Sequence, residues 1–180
     1  MPPSAFRLGL AMLVALMLAA CAPGSFYPAG PAAVATPTSP PVSLDQQFLD
    51  RAATGTWGEV ALGELAHERG FAPAVRRFGA HIAYEHRRVH ARLIALARRL
   101  HLYPNAGASD ISRLAALSGP QFDRQFIADQ VTDQREALGL FESEAQLGRN
   151  PRLRSFAREW LPLLRRDLHR AESLAARLGA

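Results

Sequence analysis

Four stretches of this chain place apolar or small side chains at spacings of three and four, and none can bury its stripe alone. The first reads Leu49, Ala52, Thr56, Glu59, Gly63, Ala66, and the second Val75, Phe78, Ile82, His86, Val89, Leu93, Leu96, Leu100. The third reads Ile127, Val131, Gln134, Leu138, Phe141, Ala145, and the fourth Leu153, Phe156, Trp160, Leu164, Asp167, Ala171, Leu174, Leu178. No stretch from Leu44 onward alternates as a strand does. The pattern predicts an all-α domain, a four-helix bundle.

Punctuation sets the expected boundaries. Ser43 with Gln46 forms a capping box for the first helix, which runs to about Arg69 before Gly70. Pro73 opens the second helix, which ends before Pro104 and Asn105. Ser109 caps a short extra helix, "DISRLAAL", between the second and third long helices. Ser118, Pro120 and Gln121 start the third, which ends at Gly148, and Asn150 with Pro151 starts the fourth. Pro162 lies inside the fourth, where it should kink the helix without ending it.

Each stripe is interrupted by a strongly hydrogen-bonding residue: Glu59, His86, Gln134 and Asp167. Counted along the helices, the four fall within a slab about 10 Å thick near the bundle's centre. That predicts one buried polar layer. A protonated His86 between Glu59 and Asp167 would pair both carboxylates, with Gln134 using the spare donors and acceptors. The alternative is a single transition metal ion on His86, Glu59 and Asp167, one nitrogen and two carboxylates.

A di-iron site needs a Glu-x-x-His from each of two helices. Only Glu64 to His67 fits that string, and it lies near a helix end. His81, Glu85 and His90 sit at helix-face spacing and read as solvated, as do His101 and His169. No serine stands in a nucleophile-elbow context, and no glycine-rich phosphate loop is present.

The first residues carry a different signal. Arg7 precedes the apolar "LGLAMLVALMLAA", which is too short and has the wrong flanks for a membrane-spanning helix. "LAAC" resembles the bacterial lipoprotein cleavage box, which implies a signal peptide over 1–20 and lipidation of Cys21, the only cysteine. With Ala22 next, the resemblance implies the outer membrane, facing the periplasm. Residues 21–43 are rich in Pro, Ala and Gly, with almost no charge, and read as a disordered tether to a domain at 44–180.

Over about 44–178 the chain is similar to a family of exported bacterial proteins with a ferritin-like four-helix fold, a domain of unknown function. The resemblance is carried by "GEVALGELA", "EHRRVHARL", "FDRQFI" and "LPLLRRDLHRA". It implies histidines where Gln134 and Asp167 stand, with His86 and Glu59 matching. It also implies a ferritin-like crossover through residues 102–119; an up-down-up-down order is the alternative.

All 21 basic residues are arginine, against 16 acidic ones. They read as interleaved with the acids on a solvated surface, which disfavours nucleic acid as a partner. The expected function is a non-enzymatic envelope lipoprotein without a cofactor. It would be held at the membrane through Cys21 and act through an envelope protein partner or as a stress-related component. The alternative is a ferritin-like metal-binding or redox protein.

Overall fold

The computed structural model describes residues 42–180. Cys21, the leader and nearly all of the tether lie outside the described residues. The helices are α1 Leu44–Arg69, α2 Pro73–Arg99, α3 Ser112–Ala115, α4 Gly119–Leu147 and α5 Pro151–Leu178, and there is no strand among the described residues.

Local chemistry explains these ends. Ser43 accepts from Gln46 N at 3.2 Å, but Gln46 does not reach back to complete the box. Its amide instead donates to Asp50 and to the Tyr103 carbonyl, tying the incoming crossover to α1. Asn150 accepts from Arg152 N and Leu153 N and opens α5, which continues through Pro162. The short helix is smaller than its sequence suggests, and its first amide bonds Asp110 rather than Ser109. Ser109 packs against Gly58 instead, where any Cβ would meet its hydroxyl.

α1 and α2 form one hairpin, α4 and α5 the other; α1 borders α4, and α2 borders α5. Gly63 and Gly79 let the first hairpin close tightly, since a Cβ on Gly63 would fall 2.6 Å from Gly79 O and Ala83 N. The segment 100–118 tracks α1 from end to end: Asn105 N donates to Asp50, Gly107 N to Thr54, and Arg69 donates to Leu117 O. The connection is therefore a crossover the length of the bundle. α4 starts beside the α1–α2 turn and runs parallel to α2, which excludes the up-down-up-down order.

The two hairpins also repeat each other in sequence. Asp45 and Asp123, Phe48 and Phe126, Gly70 and Gly148, Pro73 and Pro151, Arg76 and Arg154, and Phe78 and Phe156 all stand at one constant offset. The repeat is functional in the fold. Asp45 accepts from Arg149 N and Asn150 N at the second turn, and Asp123 from Phe71 N and Ala72 N at the first.

Charge is not interleaved as the sequence suggested. α1 and α4 carry eleven carboxylates against four arginines, whereas α2 and α5 carry fourteen arginines against four carboxylates. Each hairpin joins an acidic helix to a basic one, and the packing sets like beside like. The bundle thus has an acidic side and a basic side.

Candidate functional site

The hydrophobic core is split in two. One cluster gathers Phe48, Leu93, Phe141, Phe156 and Leu164, and the other Val75, Ile82, Phe122, Phe126 and Leu174. All the buried polar residues except Asp123 and Glu144 stand between the two, at least one on each long helix. They are Thr56 and Glu59 on α1, His86 on α2, Gln130 and Gln134 on α4, and Asp167 on α5. All four residues singled out from the sequence are buried there: Glu59 is 7% exposed, His86 2%, and Gln134 and Asp167 0%.

The pairing among them differs from the expected hub. Gln130 Nε2 donates to Glu59 Oε2 at 2.6 Å, Gln134 Nε2 lies 3.3 Å from His86 Nε2, and His81 Nε2 lies 2.8 Å from Asp167 Oδ1. His86 pairs with neither carboxylate. Burial pushes the Glu59 carboxyl up to about 8, helped by Asp133, Asp167 and Asp129 and opposed by the Gln130 hydrogen bond. Burial lowers His86 to about 4, with His81 adding to the effect. At neutral pH both are therefore uncharged. An ion pair here would have to be formed from two desolvated charges, and one amide hydrogen bond to each neutral group costs less.

The stripe interruptions miss three residues, two of them hydrogen-bond partners of the layer. Gln130 lies one turn before Gln134 on the same face, a position the spacing rule could have flagged. Glu144, also fully buried, has its carboxyl raised to about 7 by burial and by Asp45. His81, whose helix-face spacing marks a solvated side chain, reaches in from the α2 surface to Asp167, whose carboxyl is raised by burial against the opposing effect of His81. Nothing in the periodicity of α2 distinguishes it from a surface histidine.

Glu59, His86 and Gln134 line a cleft of about 640 Å³ between α1 and α4, beneath the crossover. Asp50, Asp110, Asp129, Asp133 and Glu136 ring it, with Arg51 and Arg113 as the counter-charges. Asp133 is raised to about 6 by burial and by its neighbours Asp129 and Glu136. A neutral His86 accepting from Gln134 carries its proton on Nδ1. That Nδ1 and Gln134 Oε1 have no protein partner, so this pair offers the cleft one donor and one acceptor.

The other candidates lie apart. Glu64 pairs with Arg87 on the surface, away from the central layer, and His101 and His169 are exposed. Thr56 Oγ1 is 2.9 Å from His90 Nδ1, but it also donates to Ala52 O at 2.6 Å, so its proton is committed to the backbone. Glu59, His86 and Asp167 each hydrogen-bond a different side chain. Among the described residues, no group of three or more His, Cys, Asp or Glu is placed to hold a metal ion. None of the described helices is long and apolar enough to cross a membrane.

Residues 29–174 match the family model described as Domain of unknown function (DUF4142). No curated protein sequence matches the chain. Similar solved structures include a DUF305 fragment from Deinococcus radiodurans (TM-score 0.67, 17% identity, 76% of this chain and 97% of that one). A putative secreted protein DUF305 from Streptomyces coelicolor gives TM-score 0.67 at 17% identity, over 77% of this chain and 94% of that one. CopM in the Cu(I)-bound form gives TM-score 0.65 at 16% identity, over 74% and 96%. At such identities the likeness establishes a shared helical fold.

Proposed function

The chain belongs to the DUF4142 family, and on that premise we propose that it is a non-enzymatic envelope lipoprotein that acts by binding. Its bundle, ferritin-like in having one long crossover, is a rigid module carried on a tether from Cys21. One observation carries the binding reading. The cleft floor holds two neutral, amide-paired groups, Glu59 with Gln130 and His86 with Gln134, and the one hydroxyl–imidazole pair nearby has its proton on a backbone carbonyl. Such a floor can hold a ligand by hydrogen bonds but presents no activated nucleophile.

"LAAC" supports the anchor, and a multiply acylated cysteine holds a protein at a membrane without a spanning helix. Cys21→Ser should release the protein to the soluble envelope fraction or leave an uncleaved precursor. Identical fractionation of the two forms, with no labelled fatty acid in either, would end the lipoprotein reading.

The second reading is a single transition metal ion on Glu59, His86 and Asp167. It is favoured by the fold shared with CopM, which was solved with copper bound. Residues 42–180 contain neither Met nor Cys, the soft ligands that copper(I) prefers, which leaves only a borderline or hard ion for that set. A melting temperature raised by zinc, manganese or iron, lowered by chelator and made unresponsive by His86→Leu would establish it.

A further inference from the structure

The basic side of the bundle has a groove of its own. Arg77 and His81 of α2 face Arg170, Ser173 and Arg177 of α5 across a depression of about 440 Å³ floored by Phe78 and Leu174. On the same side, Arg88 and Arg92 are engaged by Glu85 and Glu159. Arg77, Arg98, Arg99, Arg152, Arg166 and Arg177 are exposed and have no carboxylate within salt-bridge distance among the described residues.

A protein that needs arginine only for solubility gains more from mixing signs than from separating them. Here the unpaired cations run along two helices side by side, and most of the carboxylates lie on the other two long helices. We propose that the α2–α5 face docks on an anionic phospholipid surface, with the Arg77–Arg170–Arg177 groove receiving a headgroup phosphate.

Three features favour a lipid surface over another polyanion. The unpaired arginines extend along most of two helices of 27 and 28 residues, a shape that matches a plane. The groove has an apolar floor beside its guanidinium groups, which suits a headgroup with its glycerol and upper acyl carbons. Tyr84 is the one large aromatic side chain exposed on this face, so there is no platform for stacking nucleic-acid bases. The acidic side is repelled by the same membrane, so the charge separation also fixes orientation. The contact uses Arg77, Arg170 and Arg177, none of which lines the α1–α4 cleft, and it stands or falls without that cleft or the acylation of Cys21.

The test uses the protein carrying Cys21→Ser, so that no acyl chain contributes, sedimented with phosphatidylcholine vesicles with and without phosphatidylglycerol. Binding should require phosphatidylglycerol and fall steeply as salt rises from about 0.1 to about 1 M. Losing an arginine at the surface weakens partitioning about fivefold, so Arg77→Gln/Arg170→Gln/Arg177→Gln should lose well over tenfold. Arg51→Gln/Arg124→Gln/Arg135→Gln, which removes as much charge from the acidic side, should change little. Arg177→Gln alone, in the last turn of α5, keeps the test open if the triple variant does not fold. Equal binding to neutral vesicles, or equal losses in the two triple variants, would overturn the proposal. So would displacement by inorganic phosphate too dilute to screen charge, or tighter binding to a duplex oligonucleotide.

Discussion

Asp45 and Asp123 occupy equivalent places at the starts of α1 and α4, and each carboxylate accepts two backbone N–H groups from the turn of the other hairpin. The exchange is reciprocal. It fixes where the hairpins meet at both ends of the bundle, and it satisfies amide groups at the turns that no helix carbonyl can reach.

Asp123→Ala should cost about 3 kcal/mol, because the residue is 1% exposed and strands the amides of Phe71 and Ala72. Asp45 is only half-buried, so Asp45→Ala should cost less. Denaturant unfolding of both variants checks this; equal losses would show that burial does not set the strength of the clamp.

His86 is paired with Gln134 and not with a carboxylate, and a double-mutant cycle separates the two arrangements. His86→Leu alone should destabilise by about 2 kcal/mol by orphaning the Gln134 amide, and His86→Leu/Gln134→Leu should recover part of it. The coupling of His86→Leu with Glu59→Gln should be small. A large coupling there, with none to Gln134, would restore a charged hub.

Stability should fall as pH rises from 6.5 to 8. Glu59 holds its proton in the fold up to about 8, against 4.5 when unfolded. Its contribution is therefore complete below 4.5 and lost as pH climbs through 8. Glu144, raised to about 7, acts in the same direction. His86 acts oppositely, since its depressed value costs stability as pH falls from 6.5 towards 4, so it adds no slope above 6.5. Over this interval Glu59 should account for about 2 kcal/mol. Glu59→Gln, neutral at every pH and still able to accept from Gln130, should flatten most of the decline. An unchanged slope in that variant would mean Glu59 is ionised in the fold.

Gly79→Val should be among the most damaging substitutions in α2. A Cβ there falls 2.7 Å from Gly63 O and Ala66 Cβ, and the α1 backbone cannot yield as a flexible side chain would. Gly139→Ala, at a helix position with open space, should be neutral or slightly stabilising. Thermal unfolding of the pair decides it, and similar melting temperatures would refute the close α1–α2 approach.

The sequence by itself determined the four long helices and nearly all their ends. Periodicity, Ser43, Pro73, Gly148 and Asn150 act within a turn or two of where they stand, and local steric and capping forces suffice to read them. It also determined which residues interrupt the apolar stripes, and it contained the hairpin repeat in the constant offset of Asp45 from Asp123 and Gly70 from Gly148. What periodicity cannot contain is the neighbour each face meets. A stripe marks a helix's own buried side, while the choice of Gln130 for Glu59, Gln134 for His86 and His81 for Asp167 depends on height, rotation and reach across helices distant in sequence. The crossover's direction, the neutrality of Glu59 and His86, and the placing of the two acidic helices beside each other and of the two basic ones beside each other were decided only by packing. Only packing fixes which groups lose water and which charges become neighbours.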